Sequence, residues 1–346
     1  MQKGDRRETY YLSDGYFHQI LTDYFEKLGW HRADHPQKAT LHHANFSNCS
    51  TCLFTNGLSD PDPINDKVRI HENLRAYWKR KRVGAPPFVL PFYGINQNEG
   101  WKLEGAFDGK THWIIKPSDG LRQKGIKITK DFREFIVHLS HHIDYPNWLV
   151  QRYVTEPLLY KGRKFHFRCY ALIKIRNHPT GPQLQLYVYP KGYMYVADKP
   201  YRGDRFEDEG IHITTSCNNQ EFPGKYDEYF SRRGSGTFDQ VMFPQIKDIV
   251  YHTIKACDGK LSCPNDRVVD GCCYKMLGYD LMADVSNRLY LLEVNCKTIG
   301  MASHDLDGNC KSKNPSLQTP EFKEQLMSDI MNIVIFDRPT HFVRLI

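Results

Sequence analysis

A chain of 346 residues, 40% hydrophobic and 25% charged, has room for two or three domains with a sizeable core, and its composition is ordinary for a soluble globular protein. No apolar run approaches the roughly 18 residues of a membrane span, and Met1-Gln-Lys-Gly-Asp-Arg-Arg7 lacks the apolar stretch of a signal peptide, so a cytoplasmic protein with no membrane partner is expected. Ten irregularly spaced cysteines predict no disulfide framework and a reducing compartment, while a net charge of +7 suits an acidic or phosphorylated partner.

In chain order, Thr9-Tyr-Tyr-Leu12 reads as a short strand, and Ser13 as the N-cap of a helix carrying Phe17, Ile20, Leu21, Tyr24, Phe25 and Leu28, closed by Gly29. Cys49-Ser-Thr-Cys52, after His42-His43, has the spacing of half a zinc site with no second pair. Ser59-Asp-Pro-Asp-Pro-Ile64 is rich in breakers and marks a boundary, so residues 1–62 form a small N-terminal α/β domain. A basic helix follows from Asp66 to about Arg82; its end, Lys79-Arg-Lys-Arg82, places cations at a helix C-terminus, and no nucleic-acid partner is expected from it.

His112 to Pro117 is a short apolar strand containing Lys116, followed by a basic, glycine-bearing loop, Ser118 to Gly125, and a second strand, Ile126 to Ile128. Thr129 caps an amphipathic helix with Phe132, Phe135, Ile136 and Leu139, and Trp148 to Val154 is another strand. Arg163 to Ile175 is a long strand with Phe165, Phe167, Cys169 and Ala171 on one face and Lys164, His166 and Arg168 on the other. A strand around Gln183–Tyr189, loops over 197–235 and a helix from Asp239 to Ala256 come next, and a last helix runs from Thr319-Pro320 to about Phe336.

Before that last helix, Leu277 to Asp284 and Leu289 to Asn295 form a hairpin. A two-residue loop, Ser286-Asn287, pairs Val285 with Arg288 and therefore Asp280 with Glu293, with Asn295 on the same face. Like charges directly across a ladder are destabilising, and a divalent cation such as Mg²⁺, which takes one or two carboxylates, offsets that. Three polar clusters result: Lys116 with its loop, Lys164/His166/Arg168, and Asp280/Glu293/Asn295. Cations for phosphates and acids for Mg²⁺ are what phosphoryl transfer from ATP requires, although no Walker loop is present.

Trp113-Ile-Ile-Lys116-Pro, Lys124-Gly-Ile126, Val150-Gln-Arg-Tyr-Val-Thr-Glu-Pro-Leu-Leu159, Arg163-Lys-Phe-His-Phe-Arg168, His212-Ile-Thr214 and Gly278-Tyr-Asp280 with Leu292-Glu-Val-Asn295 stand in an order that resembles the ATP-grasp ligases, and more closely the tubulin tyrosine ligase-like family. The resemblance is good from about residue 110 to 300. It implies an α+β, ATP-grasp fold: two sheets closing on a nucleotide cleft, with a central domain over 63–155 and a C-terminal domain over 156–346. It implies that Lys116 and Lys124 contact ATP phosphates, and that Gln151, Arg152, Tyr153 and Val154 line the adenine slot. Lys67 matches an early phosphate-binding lysine, with His71 the alternative. Lys164 and Arg168 would face the transferred phosphate and the amino acid, and Asp280, Glu293 and Asn295 would hold Mg²⁺. The implied reaction activates a protein carboxylate as an acyl phosphate, which the amine of a free amino acid attacks. Tubulin or another acidic protein is the implied acceptor, with a microtubule-associated location.

The donor half departs from the family. His166 stands where an Asp is usual, Tyr195 where the tyrosine ligase has an arginine, and Thr215 where an Asn is usual. An imidazole at its ordinary pKa near 6.5 would make amino-acid use pH-sensitive. Other readings remain: a small-molecule ATP-grasp ligase, a scaffold that binds nucleotide or tubulin without catalysis, and a nucleotidyltransferase, since Lys116-Pro-Ser-Asp-Gly120 is one residue longer than K-x-D-G.

Overall fold

The computed structural model describes residues 8–13, 17–44, 49–84, 86–120, 124–214, 226–234, 236–296 and 320–346. At the N-terminal end, β1 (Thr9–Leu12), α1 (His18–Lys27), β2 (His31–Arg32), β3 (Leu41–His43) and β4 (Phe54–Asn56) form a parallel run in the order β4-β3-β1-β2. Tyr10 and Leu12 alternate inward on β1, and Tyr10 stacks on Phe25 of α1 with centroids 4.9 Å apart. Ser13 is not the cap of α1: its N–H extends the strand pairing to His43 O at 3.1 Å, and the helix starts at His18. Gly29 follows the helix at φ +77°, as expected of its C-terminal glycine.

After α2 (Asp62–Asn65), α3 (Lys67–Lys81) starts at a true cap. Asp66 Oδ1 accepts from the N–H groups of Val68 and Arg69 at 3.0 and 2.8 Å. Its other oxygen accepts from the Ser118 hydroxyl at 2.6 Å, which ties the start of α3 to the end of a strand in the next unit.

That unit is an antiparallel sheet of β5 (Phe92–Asn96), β6 (Trp113–Pro117), β7 (Lys127–Thr129) and β8 (Asn147–Arg152), in the order β5-β8-β6-β7. Trp113, Ile115, Trp148 and Val150 pack on Phe135 and Leu139 of α4 (Phe132–Ser140). Asp131 caps α4, accepting from Glu134 N–H at 2.9 Å. Thr129, the expected cap, instead accepts from Asp131 N–H and donates to the Glu134 carboxylate.

The second sheet is built on β10 (Arg163–Arg176), which β9 (Leu159–Tyr160) precedes and β11 (Gln183–Val196) follows. Phe165, Phe167, Cys169 and Ala171 face a core shared with Ile246, Ile249 and Val250 of α7 (Phe243–Ala256). The opposite face packs Tyr170 and Leu172 under Leu326, Ile330 and Met331 of α8 (Pro320–Phe336). At its N-terminal end that same face carries Lys164, His166 and Arg168. Short helices α5 (Glu209–His212) and α6 (Tyr226–Arg232) occupy part of the segment expected to be loops.

β10 pairs β12 (Cys272–Ala283), which pairs β13 (Leu289–Asn295) along one half of its edge and β4 along the other; β14 (Val343–Arg344) lies outside β11. The N-terminal strands thus continue the large sheet, which has ten strands among the described residues. The hairpin differs from the expected one. Asp284 N–H bonds Arg288 O at 3.0 Å around a three-residue loop with Asn287 at φ +61°. Gln245 of α7 clamps that loop, donating to Asn287 O and accepting from Leu289 N–H. A bulge between Asp280 and Leu281 then shifts the register back, so Asp280 still faces Glu293.

Two disulfides, Cys49–Cys52 and Cys263–Cys273, are present among the described cysteines, where none was expected. Both are local, with sequence separations of 3 and 10, so neither replaces a core. No helix among the described residues is long and apolar enough to cross a membrane.

Candidate active site

The register of β10, β12 and β13 aligns Arg168, Asp280 and Glu293 across three strands. Arg168 binds Asp280 in bidentate fashion, Nε to Oδ1 and Nη2 to Oδ2, each at 2.7 Å. The Asn295 amide bridges the carboxylates, donating to Asp280 Oδ2 at 3.2 Å and Glu293 Oε1 at 3.1 Å. Lys67 Nζ lies 3.5 Å from Glu293 Oε2 and donates to Gly120 O at 2.9 Å, so the first residue of α3 joins the acids to the loop after β6. Burial pushes the Asp280 carboxyl up against the pull of Arg168. Burial opposes ionisation of Glu293 as well, but Lys67 and the neighbouring Asp280 carboxyl outweigh it and hold Glu293 low. Two carboxylates from paired strands, with an amide beside them whose oxygen a half-turn of the Asn295 side chain would present, fit a hard divalent cation.

The other wall consists of buried lysines. Lys116 donates to Gln151 Oε1 at 3.1 Å. The Gln151 amide meets His71 Nε2 at 3.0 Å, and His71 Nδ1–H donates to Lys67 O at 2.7 Å, which makes Nε2 the acceptor. Burial lowers His71 to about 4, so it is neutral. Lys164 donates to the Tyr153 hydroxyl at 2.7 Å and to His212 O at 3.1 Å. Tyr153 donates on to His212 Nδ1, and His212 Nε2–H to Arg205 O. These lysine partners are all neutral. Burial lowers Lys116 to about 8, with Glu293 opposing, and burial with Lys116 lowers Lys164 to about 7. Buried cations held by neutral groups fit an anionic ligand such as a polyphosphate.

Between the walls, His166 and Tyr195 pair across β10 and β11 with rings stacked at 4.9 Å. His166 Nδ1 bonds the Thr214 hydroxyl; its Nε2 is buried without a hydrogen bond, 3.8 Å from Asp280 Oδ1. Burial, then Arg168, pushes His166 down to about 3. It is neutral across the physiological range, which corrects the expected pH sensitivity near 6.5.

The other expected residues are placed less centrally. Val154 joins Leu90 and Met282 in a small apolar cluster between the two sheets. Arg152 is exposed and its N–H bonds Pro91 O, so its side chain is not brought to the cluster. Lys124 is also exposed, beside residues 121–123, which lie outside the described set, as does Thr215. Gly125 closes that loop at φ +74°, where a Cβ would come within 2.9 Å of Pro117. His138 of α4 holds its carbonyl at 2.8 Å. Sequence reasoning placed Asp66, Ser118 and Thr214 in their segments but gave none of them a role in the site. The capping signature of Asp66 was readable, whereas its bond to Ser118 crosses 52 residues and leaves no local trace.

Residues 92–341 match the sequence model of the Tubulin-tyrosine ligase family. A tubulin polyglutamylase of Caenorhabditis briggsae is 24% identical over 302 residues, covering 82% of this chain and 46% of that protein. A tubulin glycylase of Tetrahymena thermophila is 23% identical over 265 residues, covering 70% and 23%, and a human tubulin monoglutamylase is 24% identical over 307 residues, covering 80% and 23%. The chain spans about half or less of the length of the curated relatives it matches.

Proposed function

Because this chain belongs to the tubulin-tyrosine ligase family, we propose that it is an ATP-dependent ligase of ATP-grasp architecture that joins the amine of a free amino acid to a carboxylate of tubulin or another acidic protein. The observation that carries the reading is the pair of buried lysines, Lys116 and Lys164, whose hydrogen-bond partners are neutral, beside the buried Asp280 and the half-buried Glu293 that pairs with it.

In this reading Lys116 and Lys164 take the phosphate charge, and Lys67 steadies the loop at Gly120 over it. Gln151, Tyr153 and Val154 supply the base slot, with the apolar cluster around Val154 as its floor. Asp280, Glu293 and Asn295 would hold Mg²⁺, which neutralises charge on the phosphate oxygens. The acceptor carboxylate is activated as an acyl phosphate; attack by the amine breaks the carbon–oxygen bond to phosphate and forms the amide, with release of phosphate. Arg168, aimed by Asp280, lies on the strand face where the oxyanion would develop. His166 and Tyr195 bracket the donor with neutral groups. An acceptor in tubulin would place the protein at microtubules in the cytoplasm.

The test is ATP turnover with tubulin and each amino acid in turn, glutamate, glycine and tyrosine included, with the acceptor weighed intact. A mass increase of one or more donor residues with release of ADP and phosphate is expected. Nucleotide binding with no mass change for any donor would favour a scaffold, and a covalent lysyl-AMP would mean a nucleotidyltransferase.

A further inference from the structure

We propose that His42, Cys49 and Cys52 form a zinc site, separate from the active site, that is filled when the Cys49–Cys52 disulfide is reduced. The imidazole and both sulfurs lie within 4.8 Å of one another, and all three side chains are buried. The Cys-x-x-Cys spacing lets one turn of chain present two sulfurs to a tetrahedral ion, and His42 approaches from β3 of the adjoining sheet. Burial lowers the pKa of His42, so the ring offers a lone pair at neutral pH.

Charge also fits the site. Two thiolates cancel Zn²⁺, and a neutral imidazole adds nothing, so the loaded cluster carries no net charge into the interior. Water or a neighbouring neutral oxygen completes the coordination. Both sulfurs face the Pro36 carbonyl, at 3.5 and 3.1 Å, and the Thr51 hydroxyl lies 3.6 Å from Cys49 Sγ, so polar groups surround them.

The disulfide itself does little for the fold. It spans three positions and joins no two elements, and the shorter the closed loop, the smaller the restraint on the unfolded chain. Cys263–Cys273, by contrast, fastens a loop to β12.

Filling the site from the disulfide requires two electrons. A dithiol reductant supplies them: one thiolate attacks a sulfur, the S–S bond breaks, the second thiol resolves the mixed disulfide, and the reductant leaves as its own disulfide. Zn²⁺ then displaces the two thiol protons.

The test uses the whole chain, reduced, incubated with Zn²⁺ and desalted, with metal measured by mass spectrometry of the elements. About one Zn²⁺ per chain is expected in the reduced form and none in the oxidised form. Cys49→Ser and His42→Ala should lower zinc affinity at least about tenfold, while Cys263→Ser leaves it unchanged. Should a variant fail to fold, the unaltered chain still decides: bound Zn²⁺ should slow alkylation of Cys49 and Cys52 relative to the reduced, metal-free chain, read by peptide mass. No zinc in the reduced chain, or zinc that leaves both cysteines alkylated as fast as in the metal-free chain, overturns the proposal.

Discussion

Arg168 and Lys164 stand four residues apart on one face of β10 and are equally buried, yet their electrostatic circumstances are opposite. Arg168 belongs to a closed set, with Asp280, Glu293, Asn295 and Lys67 compensating one another. Lys164 and Lys116 belong to an open set, hydrogen-bonded among the described residues to an amide, a phenol and a carbonyl. The closed set holds the three strands together and is complete as a fold. The open set costs stability and is completed only by an anion. The two therefore answer differently to the same kind of mutation.

The largest expected effect is in the closed set. Asp280→Ala removes the carboxylate that the buried Arg168 guanidinium holds in bidentate fashion, and breaking a buried pair from one side costs about 3–5 kcal/mol. Chemical denaturation should show that loss. An unchanged midpoint would mean that Arg168 has another anion and the set is not closed.

Glu293→Gln separates the two roles of that corner. Glu293 is partly exposed and Asn295 can still bond an amide there, so the fold should survive. Turnover should fall at least about a hundredfold, near 2.7 kcal/mol of lost barrier lowering. Full turnover in a folded variant would remove Glu293 from the metal-binding reading.

The site was legible in the sequence to an instructive degree. The pairing of Asp280 with Glu293 was expected from a two-residue loop, and it is present because two one-residue departures cancel: a loop one residue longer and a bulge beside Asp280. The longer loop depends on the Gln245 clamp, 42 residues away, which no local turn rule contains. The alternation on β10 was readable because periodicity is local. The pairing of β4 with β12 was not, since it joins segments more than two hundred residues apart and depends on packing rather than pattern. The neutrality of His166 was also hidden, because burial sets it and sequence does not report burial of a single ring.

In the open set, Lys116→Met should weaken ATP binding by about ten- to a hundredfold, the range of one lost hydrogen bond to a charged group. The folded chain should lose little stability, since removing a buried charge offsets the Gln151 oxygen left without its donor. A smaller and more diagnostic effect lies in pH. Burial holds Lys164 at about 7, against 10.5 for an ordinary lysine. Between those values the unfolded chain binds more protons than the folded one, so this group makes stability rise with pH across that window. Lys164→Met should flatten the rise, and a bound nucleotide should as well, because its charge restores the ammonium. The same linkage predicts weaker nucleotide binding as pH climbs from about 7 to 9. Binding that is flat over that range would show that Lys164 is charged before the anion arrives.

The smallest effect is expected at His166, which belongs to neither set. It touches the closed set through Asp280 Oδ1 at 3.8 Å and the open set through the field of Lys164, yet burial and Arg168 keep it neutral, near 3. The neighbouring carboxylate favours the tautomer that carries its proton on Nε2, with Nδ1 accepting from Thr214. A neutral ring with a proton on Nε2 serves a donor carboxylate better than a donor ammonium, unlike the Asp usual in the family. His166→Asp should therefore strengthen use of an amino-acid donor through its ammonium, at some cost in stability from a third acid beside Asp280 and Glu293. The decisive comparison is with His166→Gln, which cannot titrate. Asp280 and Lys164 bend both pH profiles alike, so the ratio of donor KM between the unaltered chain and His166→Gln should stay constant from about pH 5.5 to 7. A ratio that changes near 6.5 would mean that His166 takes up a proton there, and that burial does not isolate it from the acids of the closed set.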